Sequence, residues 1–240
     1  MCFNELQIIN IAKNLKRIIM KTILKLTFLL LSIGLISSCK NSPEGDKATT
    51  GEAATVAKTT AATKYSVNTG ATKLTWEGKK ITGSSHTGTL DVSGGSIAVE
   101  DGMIKGGSFT IDMNSLTNTD LEAPQKGKLE GHLKAADFFD VANFKVAEFQ
   151  ITKTTKLEGD SNANHMIYGN LKLKDVTKEI GFKANVNLSG KALSVSTPTF
   201  NIDRTDWNVK YGSDKFFDGL KDKAINDDIA LSIKLSANAN

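Results

Sequence analysis

The sequence predicts an all-β fold: an antiparallel β-barrel of about eight strands, with one or two short helices. Three observations predict it. First, apolar and polar residues alternate through most of residues 65–236, as in Leu74-Thr75-Trp76-Glu77 and in the run Ile180, Phe182, Ala184, Val186, Leu188. A period of two marks a strand with one dry face. Second, short turn signals such as Gly94-Gly95 and Asp101-Gly102 separate the runs. They supply the positive φ of tight hairpins, so neighbouring strands run antiparallel. Third, so many one-sided strands would expose edges in an open sheet, so the sheet must close or fold over. A barrel of about eight strands has an interior that side chains just fill, or that holds one small ligand.

The chain has 240 residues, and its N-terminal part reads as processing signal rather than fold. Residues 1–19 precede Met20, which makes the better start, and are left out of fold reasoning. Residues 20–38 have a basic start (Lys21, Lys25), an apolar block to Ile36 and small residues before Cys39. That is the pattern of an export signal, and the block is too short for a comfortable membrane span. Ile36-Ser37-Ser38-Cys39 resembles a bacterial lipobox, in which the cysteine is lipidated and becomes the first mature residue. The expected location is therefore outside the cytoplasm: the periplasm, or the outer membrane facing periplasm or cell surface.

Residues 1–38 hold five basic groups and one acid, so 25 of each sign remain in the mature chain. The basic balance of the full chain thus belongs to the leader. It does not point to nucleic acid, which needs a clustered basic surface. Cys39 is the only mature cysteine, so no internal disulfide forms and the fold relies on its core. Residues 39–63 are Ala-, Thr-, Lys- and Glu-rich with almost no large apolar side chain. Such a segment buries too little to offset its ordering entropy, and a flexible tether is expected.

The barrel domain is expected over 64–238. Its first strands carry Leu74 and Trp76, Leu90 and Val92, Ile97 and Val99, then Phe109, Ile111 and Met113. Around 120–134 the alternation stops. Pro124 suits a first helical turn, and Leu129, Leu133 and Ala136 fall near helical spacing, although Gly127 and Gly131 weaken a helix. The stretch from Gly131 to Val141 sets Phe138-Phe139 between Asp137 and Asp140, with His132 before them. Adjacent side chains on a strand point to opposite faces, so a turn or loop is expected here, covering one barrel end and inserting an aromatic. Alternation resumes at Ala147, Phe149 and Ile151 and continues through Leu171, Leu173, Phe182, Leu193, Val195, Phe200 and Ile202 to Ile229, Leu231, Ile233 and Leu235. A short helix is expected over Asp214–Lys223, carrying Phe216, Phe217 and Leu220.

Nothing catalytic stands out. His86, His132 and His165 lack paired metal-ligand spacing. There is no Gly-x-Ser-x-Gly elbow and no phosphate-cradling Gly-rich loop. Asp137 and Asp140 suit capping and turn roles. An enzyme using Asp137, His132 or Arg204 in a pocket would need acid and base groups in hydrogen-bond reach. The expectation is no enzyme, no metal and no required cofactor. One residue stands out by counting: the mature chain has 24 lysines and a single arginine, Arg204. One arginine against so many lysines points to a need for a planar, multi-donor guanidinium. It would clamp Asp203 or Asp206, stack on Trp207, or bind an anionic head group.

His132-Leu133-Lys134-x-x-Asp137-Phe138-Phe139-Asp140-Val141 resembles the hallmark of the YceI-like family of exported lipid-binding proteins. Further blocks follow in the family's order: Ser108–Leu116, Tyr168–Lys178, Asp203-Arg204-Thr205-Asp206-Trp207 with Asp203 where the family has Asn, and Asp227–Ile233. The resemblance spans residues 65–236. It implies a lipocalin-like antiparallel barrel whose apolar interior holds an isoprenoid, quinone-like or fatty-acyl chain. By that resemblance the candidate lipid contacts are Trp76, Phe109, Met113, Phe138, Phe139, Phe149, Phe182 and Trp207. His132 and Arg204 are candidate head-group contacts, and Cys39 is the lipidation site. The expected partners are an amphiphilic lipid, the membrane through Cys39, and a second copy of the chain. The competing reading is a packed barrel that binds a protein or glycan on its outside.

Overall fold

In the computed structural model, which describes residues 42–56 and 62–240, alternating side chains close a sheet on itself. The strands are β1 (Asp46–Lys47), β2 (Thr49–Glu52), β3 (Thr63–Val67), β4 (Lys73–Lys80), β5 (Ser85–Glu100), β6 (Met103–Asn118), β7 (Val146–Lys156), β8 (His165–Leu173), β9 (Val176–Ser189), β10 (Ala192–Ser196), β11 (Phe200–Asp203) and β12 (Ile225–Ala239). The one α-helix among the described residues, α1, is Gln125–Lys134. From β4 to β10 each strand pairs antiparallel with the next; β10 then pairs with β12, and β12 returns to β4, closing a ring. The predicted antiparallel barrel is the observed fold. Its wall leaves no free edge along that ring.

The core lies inside the barrel and follows the predicted alternation. Leu74, Val92, Ile97, Phe109, Ile111, Ala147, Phe149, Phe182, Leu193 and Leu235 are all buried. Val186 and Leu231, expected inside, are partly buried and pack against this core, whereas Leu188 is exposed near the end of β9.

Three expectations are corrected. Gly94-Gly95 does not turn the chain: Leu90–Val99 is one strand, and the hairpin falls only at Asp101-Gly102. β5 bulges there instead, and Gly95, at φ 153°, lets β6 come close. A Cβ at that position would stand 2.6 Å from Phe109 Cα. Asp214–Lys223 does not form an α-helix; its one regular piece is a 3-10 turn, Lys221–Lys223. Phe216 and Phe217 are 46% and 49% exposed, so no buried face exists to hold a helix there.

The third correction concerns the tether. Residues 46–52 dock on the barrel. β1 pairs parallel with β11, and β2 pairs antiparallel with β9. Ala48, between them, is buried in the core. Asn201 Nδ2 donates to the carbonyls of Pro43 and Gly45, both at 3.0 Å, and Asn170 exchanges two hydrogen bonds with Ala54. The reason lies in the wall: β10 ends at Ser196, so the later strand β11 and the first half of β9 each face this strap rather than one another. Two strand edges that need partners order a segment that has almost no apolar side chains of its own. The doubtful extension (1–19), the export signal (20–38), Cys39 and residues 57–61 lie outside the described residues.

Candidate functional site

Above the core, at the α1 end, the barrel interior holds a cavity of about 810 Å³, its mouth included. Residues of seven strands line it, among them Leu74 and Trp76 on β4, Leu90 on β5, Ile111 and Met113 on β6, Leu171 and Leu173 on β8, and Ile229 and Leu231 on β12. The lining is apolar except for Arg204 and Asn226. A second, smaller void of about 350 Å³ lies further in, lined by Ile97, Ile104, Phe109, Phe149, Phe182, Leu235 and neighbours.

The stretch 131–141 covers the end of the larger cavity, as expected. α1 buries no residue of its own. It is held to the barrel by Glu130, which accepts from Thr117 Oγ1 (2.7 Å) and from the Asn118 amide (2.8 Å). Those donors hold the Glu130 carboxyl below its usual pKa. After the helix, backbone amides of Phe138, Phe139, Asp140 and Val141 bond back to carbonyls of residues 133–135, folding a tight turn. That turn presents both phenylalanines to the cavity. Phe138 is the buried one, set among His132 (5.8 Å), Phe139 (5.0 Å) and Tyr211 (6.2 Å). Phe139 is only partly buried. Asp140 caps the turn, accepting from Asn143 Nδ2.

Arg204 sits where β11 gives way to a 3-10 turn, Arg204–Trp207, and is fully buried. Nε donates to Asn226 O (3.1 Å), Nη1 to Val209 O (2.7 Å), and Nη2 to Ile225 O (3.2 Å) and to Asp227 Oδ1 (3.5 Å). Its guanidinium lies 5.7 Å from the Phe138 ring centre. Burial pulls its pKa below the usual value, against the opposing pull of Asp227 and Asp203. The expected clamp partners were Asp203 and Asp206; the carboxylate found is Asp227. Asp203 instead accepts from Thr205 and from Lys215 Nζ (2.5 Å), and Lys215 also pairs with Asp227 (3.1 Å). Burial alone would raise the Asp203 carboxyl, and the Lys215 and Thr205 donors more than offset it, so its pKa is lowered.

Of the predicted lipid contacts, Trp76, Met113, Phe138 and Phe139 line the large cavity, while Phe109, Phe149 and Phe182 line the small void. Trp207 lines neither: it is fully buried in the core and its Nε1 donates to Leu171 O at 3.0 Å. His132 lies just outside the lining, 4.5 Å from the Tyr211 ring. The Trp76 Nε1–H is buried and has no hydrogen-bond partner among the described residues. Sequence reasoning missed Leu133, Ile225, Asn226 and the Asp227–Lys215 pair. For Asp227 a signal existed: two adjacent acids, Asp227-Asp228, stand at the head of a strand, where a buried cation needs a counter-charge. Among the described residues no three His, Cys, Asp or Glu side chains gather as metal ligands would.

A closed antiparallel barrel with a dry chamber under an aromatic turn defines the class: a barrel built around an internal apolar space. A family model described as the YceI-like domain matches residues 65–237, and the chain belongs to the YceI-like family. Curated proteins gave no match. Two solved structures share the fold. One is a polyisoprenoid-binding domain from Saccharophagus degradans implicated in plant cell wall breakdown, at 21% identity and TM-score 0.54, covering 73% of this chain and 98% of that one. The other is BcnA of Burkholderia cenocepacia, at 16% identity and TM-score 0.57, covering 72% of this chain and 99% of that one.

Proposed function

We propose that this protein is an exported, membrane-tethered carrier that holds one amphiphilic lipid, isoprenoid, quinone-like or fatty-acyl, with its tail in the large cavity. The observation that carries the reading is the lining, in which the large cavity offers almost no polar group. Ligand sites are concave and mostly apolar with a few placed polar groups. Each buried CH₂ contributes about 0.8 kcal/mol, so roughly ten of them reach about 8 kcal/mol, the scale of micromolar affinity, before the tail's ordering cost. The S. degradans neighbour, described as polyisoprenoid-binding, supports the same reading. Arg204 spends four hydrogen bonds on the protein itself, so it lines the cavity as a charge already paired with Asp227 rather than as a free fork.

Lipidated Cys39 would be the anchor. Cys39→Ser should abolish acyl labelling. For the cargo, protein from its native host is extracted with solvent and analysed by mass spectrometry. A stoichiometric prenyl or acyl lipid is expected; empty protein that also fails to bind added prenols and fatty acids would sink the reading.

One observation favours a second reading, an interaction module. Tyr211, Phe216 and Phe217 are 41–49% exposed on one loop, and Tyr211 touches His132 and Phe138 at the covered end of the barrel. If Phe216→Ser with Phe217→Ser abolishes partner capture while lipid content holds, the loop is that module's surface.

A further inference from the structure

The chamber has a floor. The large cavity and the small void share no lining residue. On the small void's side of that divide, Phe109 on β6, Phe149 on β7 and Phe182 on β9 line the void, and Phe200 on β11 continues their row. Successive ring centres are 5.4, 5.5 and 4.5 Å apart, and Phe182 and Phe200 are stacked within 5° of parallel. All four are buried. An eight-stranded barrel is only wide enough for side chains to fill, so rings reaching in from these strands obstruct it. Two residues away on the same faces, smaller side chains replace them: Ile111, Ala147 and Ile202 line the open chamber.

Phe149 holds the centre of the row and rests on bare backbone. It lies over Gly169 on β8, where a Cβ would stand 2.3 Å from Phe149 Cζ and 2.7 Å from Cε2. The ring occupies the gap that glycine leaves between the inward side chains Ile167 and Leu171.

We infer that Phe149, seated on Gly169 and flanked by Phe109 and Phe182, sets the length of lipid chain that the barrel accepts. The inference rests on the lipid-binding reading. The tail enters beside Phe138 and Phe139, runs through the large cavity and stops at this ring. An apolar tunnel discriminates poorly between chains that all fit; a floor changes that. Above it each buried CH₂ raises affinity about fourfold, the equivalent of about 0.8 kcal/mol. Below it a longer chain must fold back or stay in water, and gains nothing.

The test uses the full chain, stripped of lipid and titrated by displacement of a fluorescent fatty acid. Two series of rising length are compared: farnesol, geranylgeraniol and solanesol, then lauric, palmitic and arachidic acids. Wild-type affinity should climb and then level off. Phe149→Ala joins the two voids and should move the plateau to a longer chain. Gly169→Ala, whose Cβ meets the Phe149 ring and also the Gln150 carbonyl at 2.8 Å, drives the ring inward at some cost in stability and, in the folded fraction, should move the plateau to a shorter chain. Phe149→Leu keeps most of the volume and the fold, and should shift the plateau in the direction of the alanine variant by less. The same plateau in wild type and in every folded variant overturns the floor and leaves lipid binding standing. Failure of wild type to bind either series overturns the binding reading, and the floor with it.

Discussion

Replacing Arg204 with lysine keeps the charge and removes the geometry. The guanidinium reaches three backbone carbonyls, of Val209, Ile225 and Asn226, and the Asp227 carboxylate, from three nitrogens fixed in one plane. An ammonium puts its three donors on a single atom rather than on a planar fork, so it cannot reach carbonyls served from different guanidinium nitrogens, and it is expected to serve Asp227 and one of them. Two buried carbonyls then lose their partner, at about 1–3 kcal/mol each. Loss of the guanidinium face near Phe138 adds roughly 0.5–1 kcal/mol. The expected destabilisation is about 2.5–7 kcal/mol, a large part of a typical domain's roughly 5–15 kcal/mol. Urea denaturation followed by fluorescence of buried Trp76 and Trp207 measures it. Lipid affinity per folded molecule should stay within a few-fold. Asp227→Asn, which strips the buried cation of its carboxylate, should cost about 3–5 kcal/mol, and the double variant should be less harmful than the sum. An unchanged urea midpoint with affinity lost would refute the reasoning, because Arg204 would then serve the ligand rather than the corner.

Three further outcomes follow from the geometry. Burial, with Lys156 nearby, holds the His165 imidazole below its usual pKa of 6.5. The unfolded chain therefore takes up that proton first, so stability should fall as pH drops through about 6.5; a slope that persists in His165→Gln rules His165 out as its source. Phe138→Ala should cost about 3–5 kcal/mol, while half-buried Phe139→Ala should cost less and alter lipid recovery; equal thermal shifts would contradict the assigned roles. Ala48→Asp would bury an unpaired charge in the strap, so amides of residues 46–52 should lose hydrogen-exchange protection while the barrel stays folded; unchanged protection would show that Ala48 does not seat the strap.

Most of the wall was legible because its signal is local. A period of two says which side chains of a strand share a face, and Phe109, Phe149, Phe182 and Leu235 are buried as that period requires. Asp101-Gly102 was legible as a turn because both residues take positive φ, at 51° and 71°. Gly94-Gly95 carries the same letters and is a bulge, since what glycine provides there is close approach to Phe109 on the next strand. The cavity was legible only as an inside. Alternation places Ala147 and Phe149 on one face alike; which faces open space and which fills it depends on what the opposite strands contribute.

The strap marks the same boundary from the other side. Composition predicts that residues 39–63 do not order, because they bring almost no apolar surface, and by their own composition that is right: of 42–56 only Pro43 and Ala48 are buried. The order comes from what is missing elsewhere. β10 stops at Ser196, leaving amides and carbonyls of β9 and β11 to be satisfied. Unpaired backbone polar groups at a barrel wall cost more than a strap costs to order, provided the strap also gains side-chain bonds. Asn201 and Asn170 supply those bonds from the barrel side, and Lys178–Glu52 and Lys183–Asp46 add exposed ion pairs. A polar segment of this kind folds because of a vacancy in strand pairing more than a hundred residues away, and no window of sequence around residue 48 contains that vacancy.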